Sequence, residues 1–462
     1  MIYQKREYQE KAVEVGLSVL RDNRPRREIM VLPTAAGKAI IIARIAKEIK
    51  DGKILVLQPN VELLEQGIQK LNDIEATYSV FSASVKRRET EENLIYATPK
   101  SITYEDFKDL GIKYVIVDEC DFSSKPDSDM IHLLKKLNIK SCLGLTATPF
   151  YLENTFDGSL TRMMYQVKGS YFTDICFVTQ IQELVDGGYW SDFQYYDNFD
   201  RSKKDILKIN KNKSDYSLES QKSFYELAQL KEKTVDLLKR LPDGENALVF
   251  VPSVDEAEEL QKLLPNSVTI HSKVSPKERK KRVENFKNNT NPIAITVIAL
   301  TVGFDKPDLI NIVDCSPTKS IRLYMQKTGR LVRPYNSKKG RYIDFSGSYY
   351  NHGDVRQYNF ENIKGYGWGL FKNDTLVTDV PMTSKHVFTK DYLRGGGKIN
   401  IQYVFGNHNK GDAVFDFGQN KGKTVKYLYY RKRHYLRWLA ESDFQFKDKE
   451  LERQVKLIFN EL

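Results

Sequence analysis

Short apolar runs alternate with helical stretches over the first 190 residues, and after a polar interval the alternation restarts. Glu28–Leu32 reads as a strand and Lys38–Lys50 as a helix, and Ile54–Gln58 with Val61–Leu71 repeats the pair. Leu94–Ala97, Tyr114–Val117 and Ser141–Leu145 are further strands. Strands separated by helices pair in parallel, because a parallel return needs a long crossover. The expected fold class is α/β, a doubly wound parallel sheet that binds its ligand at the strands' C-terminal ends. In the second series Ala247–Val251, Val268–His271, Ile293–Ala299 and Ile310–Val313 are strands, ending near Tyr342–Phe345. Its helices cover Val254–Leu264, Pro276–Phe286 and a stretch from Ser320. A chain of 462 residues has room for both units and more.

The expected domains are a first lobe over 1–200, a lysine-rich exposed connection over 201–225 and a second lobe over 226–360. Gly365, Gly367, Gly369 and Gly395–Gly397 mark 361–403 as a glycine-containing linker, read as a hinge. Residues 404–462 form a small basic, aromatic C-terminal module. The net charge of +11 suits a polyanionic partner, although such a surplus also serves solubility. Cys120, Cys142, Cys176 and Cys315 include no C-x-x-C pair, which argues against zinc and against a disulfide framework. The N-terminal residues have no apolar signal region and no run is long enough to span a bilayer, so no membrane partner and a cytoplasmic location are expected.

Two segments carry phosphate chemistry. Strand Glu28–Leu32 feeds Pro33, Thr34, Ala35, Ala36, Gly37 and Lys38 and then a helix. Such a turn aims backbone N–H groups and a helix dipole at an anion, with the lysine reaching the β- and γ-phosphates. Leu32 and Ala39 depart from the full G-x-x-x-x-G-K-[ST] pattern, and Ala39 lacks the hydroxyl that normally ligates Mg²⁺. Asp118 and Glu119 end the strand Tyr114–Val117, where Asp118 would hold Mg²⁺ and Glu119 would polarise water. Either segment alone is common as a bare loop or a solvated strand end.

In order along the chain, these segments resemble a superfamily 2 DExD/H helicase of the DNA-directed kind found in phages and restriction systems. Asp118-Glu119-Cys120-Asp121 is similar to the DExD/H motif, and Thr146-Ala147-Thr148 to the motif coupling hydrolysis to nucleic-acid movement. Val302-Gly303-Phe304-Asp305, then Gln326, Gly329, Arg330 and Arg333, resemble the second-lobe nucleotide and arginine-finger motifs. Being three apart, Arg330 and Arg333 would share a helix face. The resemblance covers residues 1–355 and implies two RecA-like lobes with ATP and Mg²⁺ between them. It implies catalytic roles for Asp118, Glu119, Gln326, Arg330 and Arg333, and nucleotide contacts from Gln9, residues 33–39, Gly303 and Asp305. Gln9 would read the adenine edge, and Thr146 and Thr148 would couple hydrolysis to nucleic-acid movement. Gln58, Pro59, Asn60, Thr98, Pro99, Ser253 and Thr301 would contact nucleic acid.

The C-terminal module resembles one appended to some phage and bacterial nucleases and helicases. Lys421 and Lys423 could bind phosphates there while Tyr430 or Trp438 stacks; alternatively Gly418 and Gly422 form a turn over a small core. Trp438 is expected in that core in either case. The implied function is ATP-dependent unwinding or branched-DNA translocation in DNA replication, recombination or repair, with a phage source. The expected partner is forked, branched or single-stranded DNA, bound by a monomer, with replication or recombination proteins as further partners. An RNA helicase, a double-stranded DNA translocase and a nucleotide-gated DNA binder with weak hydrolysis stay open, the last because of Ala39.

Overall fold

The computed structural model describes residues 6–123, 125, 126, 128–155, 158–212, 214–298, 300, 303–380, 388–394, 413, 415–425, 428, 433–442 and 444–460. The chain forms two compact units, Met1–Tyr151 with Arg162–Asn359, and Leu152–Thr161 with Phe360–Leu462.

The first unit holds two α/β lobes. Strands of the first are β1 (Arg27–Val31), β2 (Lys53–Leu57), β3 (Ser79–Ser82), β4 (Arg87–Arg88), β5 (Leu94–Ala97), β6 (Ile112–Asp118) and β7 (Ser141–Thr146). After β8 (Phe150–Thr155) and β9 (Gly158–Met163), which pair with each other, β10 (Asp174–Val178) returns to the sheet. Among the described residues the order is β10-β1-β7-β6-β2-β5-β3-β4. Alternate residues Met30, Ile54, Val56, Tyr96, Tyr114, Ile116, Leu143 and Leu145 bury one face. They share a core with α1 (Glu7–Arg21), α2 (Lys38–Glu48) and α3 (Val61–Asp73). Because β7 lies between β1 and β6, Thr146 ends up between the phosphate turn and the acidic pair.

The second lobe contains β11 (Phe193–Asp197), β12 (Ala247–Phe250), β13 (Ser267–Ile270), β14 (Ile293–Thr296), β15 (Asn311–Asp314) and β16 (Gly340–Asp344). All pair in parallel in the order β11-β16-β15-β12-β14-β13. This corrects the first-lobe boundary at 200: Phe193–Asp197 already lies beside Gly340–Asp344 in the second sheet. The segment 201–225 is likewise more than an exposed connection. Its helix Leu218–Leu227 is capped by Ser217 and sends Phe224 and Tyr225 into the second lobe's core.

One buried ion pair fixes the helix Ile321–Thr328 on this sheet. Lys327 Nζ lies 2.7 Å from Asp314 Oδ1 and donates to Ser316 O at 2.7 Å, with both charged side chains fully buried. Tyr342 Oη and Ser346 Oγ donate to the other carboxylate oxygen. The helix ends at Thr328, so Arg330 and Arg333 do not extend its face as expected; they occupy the turn that follows.

In the second unit β17 (Tyr358–Ile363), β18 (Gly367–Lys372) and β19 (Thr375–Leu376) form a sheet over Ile363, Phe371, Leu376 and Leu393. The expected hinge is thus a folded sheet in its described part. Gly365 and Gly367 have φ of +81° and +93°, and they turn the chain between β17 and β18. Gly395–Gly397 lie outside the described residues. Farther on, Phe415, Val425, Leu428, Leu436, Leu439, Leu451 and Val455 form a small core. Gly418 and Gly422 adopt positive φ, and across that turn Phe415 N donates to Lys423 O at 2.9 Å while Gly422 N donates to Phe415 O at 2.7 Å. Trp438 is 56% exposed, which corrects its expected place in the core. Leu436 and Leu439 supply the buried face of its helix, and the indole stacks on Tyr435 at 6.0 Å. Among the described residues no helix is long and apolar enough to cross a membrane.

Lys327→Met should leave the Asp314 carboxylate without its cation and destabilise the protein by about 3–5 kcal/mol. Urea unfolding measures this, and an unchanged midpoint would mean that the pair does not anchor the helix.

Candidate nucleotide and nucleic-acid site

The turn Pro33–Gly37 joins β1 to α2. Ala35 and Gly37 take positive φ of +66° and +85°, which closes the loop and starts α2 at Lys38. Tyr8 Oη and Gln9 Nε2 both donate to Ala36 O, at 2.8 and 2.9 Å. A Cβ on Gly37 would lie 2.5 Å from Gln9 Nε2, so the glycine is needed for this close approach. Gln9 is buried and tied to the main chain of the turn. Trp190 Nε1 donates to Thr34 O at 3.0 Å, and the Arg6 guanidinium covers the Tyr189 ring at 4.5 Å.

Lys38 Nζ reaches Glu119 Oε1 at 3.1 Å, joining the phosphate turn to the acidic pair. Glu119 itself has a φ of +44°, a strained conformation for a residue with a side chain. Asp118 is buried; that burial, with Glu119 beside it, raises its pKa, while Lys38 acts to lower it. Ala39 opens α2 and brings no ligand atom.

Mg²⁺ and a nucleotide triphosphate fit this set of groups. Among the described residues no group of three or more His, Cys, Asp or Glu could hold a metal alone. A hard cation at Asp118 would therefore need phosphate oxygens and water as its other ligands, the usual arrangement for Mg²⁺.

The second lobe reaches the same place. A Cβ on Gly329 would come within 2.7 Å of Thr34 Oγ1. Arg330 and Arg333 both donate to Phe304 O, the latter at 3.2 Å, and Arg333 Nε lies 3.0 Å from Asp305 Oδ1. Burial, with Arg333 alongside, pushes Arg330 down to about 9, and the nearby Glu119 and Asp305 charges oppose the shift. Two desolvated guanidiniums beside a turn of free helix-start amides make an anion-demanding cleft. Gln326 is half-buried, and its carbonyl accepts from Arg330 Nε at 3.3 Å. Gly303 (φ +77°) offers its carbonyl to Gln66 Nε2 of the first lobe.

Asp121 links these parts. Its buried carboxylate accepts Thr146 Oγ1 at 2.7 Å, Thr148 Oγ1 at 2.8 Å and Arg322 Nε of the second lobe at 2.6 Å. Sequence reasoning did not single out Arg322. It stands one helical turn before Gln326, and that spacing was the available signal.

The expected nucleic-acid contacts are less well supported by side-chain placement. Gln58 is fully buried, and Thr98 is buried with its hydroxyl on Ser82 and Ser101. Neither side chain is placed to contact a ligand directly. Asn60 caps α3 through Leu63 N, and Ser253 caps the helix Val254–Leu263 through Asp255 N. These two side chains are engaged in capping and leave helix-start amides as the groups that can face phosphate. Pro59 and Pro99 are partly exposed, Lys421 and Lys423 are exposed, and Thr301 lies outside the described residues.

Residues 2–151 match the family described as Type III restriction enzyme, res subunit, and residues 229–335 match the Helicase conserved C-terminal domain. A 51.5 kDa protein of a Lactococcus phage is 24% identical over 335 residues, covering 70% of this chain and 66% of that protein. ATP-dependent DNA helicase Q1 of Rattus norvegicus is 23% identical over 359 residues, covering 67% and 49%. The chain thus spans about half to two thirds of the length of these curated relatives. Among solved structures, an HsdR-subunit fragment of a type I restriction enzyme from Vibrio vulnificus superposes with a TM-score of 0.56 at 17% identity. That match covers 76% of this chain and 66% of the fragment. The Type ISP restriction-modification enzyme LlaBIII, bound to DNA, gives 0.52 at 17%, covering 74% and 28%. At such identity these two likenesses establish the fold alone.

Arg322→Ala would remove a charged hydrogen bond worth about 1.5–3 kcal/mol. Turnover of ATP should fall by about ten- to a hundredfold with nucleotide affinity unchanged, because Asp121 keeps both threonine donors. Equal losses of affinity and turnover would mean that Arg322 shapes the nucleotide pocket itself.

Proposed function

The chain belongs to superfamily 2 of the DExD/H helicases, and from that premise we propose that it is an ATP-driven DNA helicase or branched-DNA translocase. The observation that carries this reading is that the second lobe reaches the phosphate turn at Gly329 and Thr34, with Arg330 in electrostatic reach of Glu119, which pairs with Lys38. Lys38 and the turn amides would hold the β- and γ-phosphates, with Gln9 and the Arg6–Tyr189 pair nearest the base. Asp118 would hold Mg²⁺, which supplies charge neutralisation at the phosphates. A phosphate competing for Lys38 would free Glu119 to orient water, and Arg330 and Arg333 would meet the charge that develops as the bond breaks. Asp121 would report that state to Arg322 through Thr146 and Thr148, so that lobe closure follows nucleotide occupancy.

The name of the Q1 helicase and the DNA-bound LlaBIII support DNA as the substrate. The Lactococcus phage relative supports a phage source. On this reading the protein would work in replication, recombination or repair in a host's cytoplasm, as a monomer. In the C-terminal module the exposed Lys421 and Lys423 would add phosphate contacts.

Strand displacement on forked DNA and on a matching RNA fork tests the reading. Wild-type protein should open the DNA fork with ATP. Glu119→Gln should bind ATP without turning it over, and Arg333→Ala should lose about 10³–10⁵ in turnover. Wild-type hydrolysis by Glu119→Gln would remove the assigned mechanism. Preferential opening of the RNA fork would replace the substrate, and nucleotide-dependent DNA binding without turnover would leave a gated binder, as Ala39 allows.

Deleting residues 404–462 should weaken binding to forked DNA and reduce its salt dependence, while basal hydrolysis persists. Unchanged affinity at every salt concentration would exclude Lys421 and Lys423 as DNA contacts.

A further inference from the structure

Gln58 is a glutamine where a sheet core would favour an apolar residue. It follows β2, its side chain is fully buried, and neither Oε1 nor Nε2 has a hydrogen-bond partner. Burying such groups unpaired costs about 1–3 kcal/mol, and an apolar side chain of similar shape would avoid the cost. A retained cost of that kind calls for a local reason.

Register supplies one. Leu57 pairs with Val117 between β2 and β6, so Gln58 stands beside Asp118 at the next position, on the same face of the sheet. The carboxamide acts to lower the Asp118 pKa, so the two groups lie close although the carboxamide makes no hydrogen bond. On the other neighbouring strand Val56 pairs with Tyr96, whose hydroxyl is also buried without a hydrogen-bond partner. α3 covers both through Gly67, where a Cβ would lie 2.6 Å from Tyr96 Cε1 and 3.4 Å from Gln58 Nε2. Two buried, unpartnered polar side chains therefore back the one carboxylate expected to hold the metal, in a chain whose phosphate turn ends in Ala39 rather than a hydroxyl residue.

We propose that Gln58 is a positioning residue that holds the Asp118 carboxylate in its Mg²⁺-binding orientation, offsetting the ligand that Ala39 does not provide. With Mg²⁺ bound, Nε2 would donate to one carboxylate oxygen and leave the other for the metal. Donors that hydrogen-bond a metal's carboxylate ligand commonly set metal affinity by about ten- to a hundredfold. The inference rests on the nucleotide reading of the cleft.

The test is equilibrium binding of ATPγS as a function of Mg²⁺, with Mn²⁺ binding followed by electron paramagnetic resonance. Gln58→Met keeps the volume and removes the donor; Gln58→Asn keeps the donor one methylene short. Both should raise the Mg²⁺ needed for half-maximal ATPγS binding by about tenfold or more. Gln58→Met should unfold at the same temperature as wild type or higher, since it buries no unpaired polar group. Ala39→Thr added to Gln58→Met should restore the wild-type Mg²⁺ dependence. Unchanged Mg²⁺ dependence in both variants would overturn the proposal, as would a shift that accompanies lost thermal stability and is not restored by Ala39→Thr. If wild-type protein shows no Mg²⁺-dependent ATPγS binding that Lys38→Ala abolishes, the nucleotide reading itself falls.

Discussion

Asp121 is the constraint on which the arrangement of this molecule depends. A fully buried carboxylate is tolerable only when its oxygens are met by donors. Here Thr146 and Thr148 meet it from the neighbouring strand's end, and Arg322 meets it from the other lobe. The two hydroxyls are internal to the first lobe and persist whatever the second lobe does. Arg322 is the variable partner, so separation of the lobes exchanges a short ion pair for solvated groups. Lys280 to Glu65, between exposed side chains, and Gln66 to Gly303 also join the lobes. Of these, the Asp121–Arg322 contact is the one wired, through Thr146, to the strand between the phosphate turn and the acidic pair.

The second lobe is built to present its arginines rigidly. Lys327 is held in the core by Asp314, and Arg330 and Arg333 leave the helix end just beyond it. Their shared acceptor, Phe304 O, belongs to the Gly303–Asp305 loop, which Lys306 pins through Asp308 at 2.9 Å. Burial of two like charges is unfavourable by itself, and Arg330's lowered pKa is the record of that. The arrangement gains most from an anion delivered between the lobes. In the proposed reading, a triphosphate would be that anion.

Much of this was legible in the sequence, because strand, turn and helix recur with clear punctuation. Leu94–Ala97 and the helix start at Val61 fall where the residues place them. What was missed has physical causes. Phe193–Asp197 reads as part of the preceding lobe because nothing local to five residues says which sheet they join. Gly365 and Gly367 read as a hinge because a glycine needed for positive φ in a hairpin looks the same as one supplying freedom. Trp438 was expected inside on hydrophobicity alone, yet Leu436 and Leu439 take the buried face. For Gln58 and Thr98 a motif gives position along the chain, whereas strand register decides which way the side chain turns, and both turn inward.

The central claim is that nucleic acid and nucleotide act on one interlobe cleft through the Asp121 junction. The most direct measurement is the steady-state rate of phosphate release from wild-type protein as forked DNA is titrated in at fixed ATP and Mg²⁺. The account predicts a low rate without DNA that rises and saturates as the lobes are held closed. A rate indifferent to DNA at every concentration, with DNA binding verified in the same samples, would contradict it.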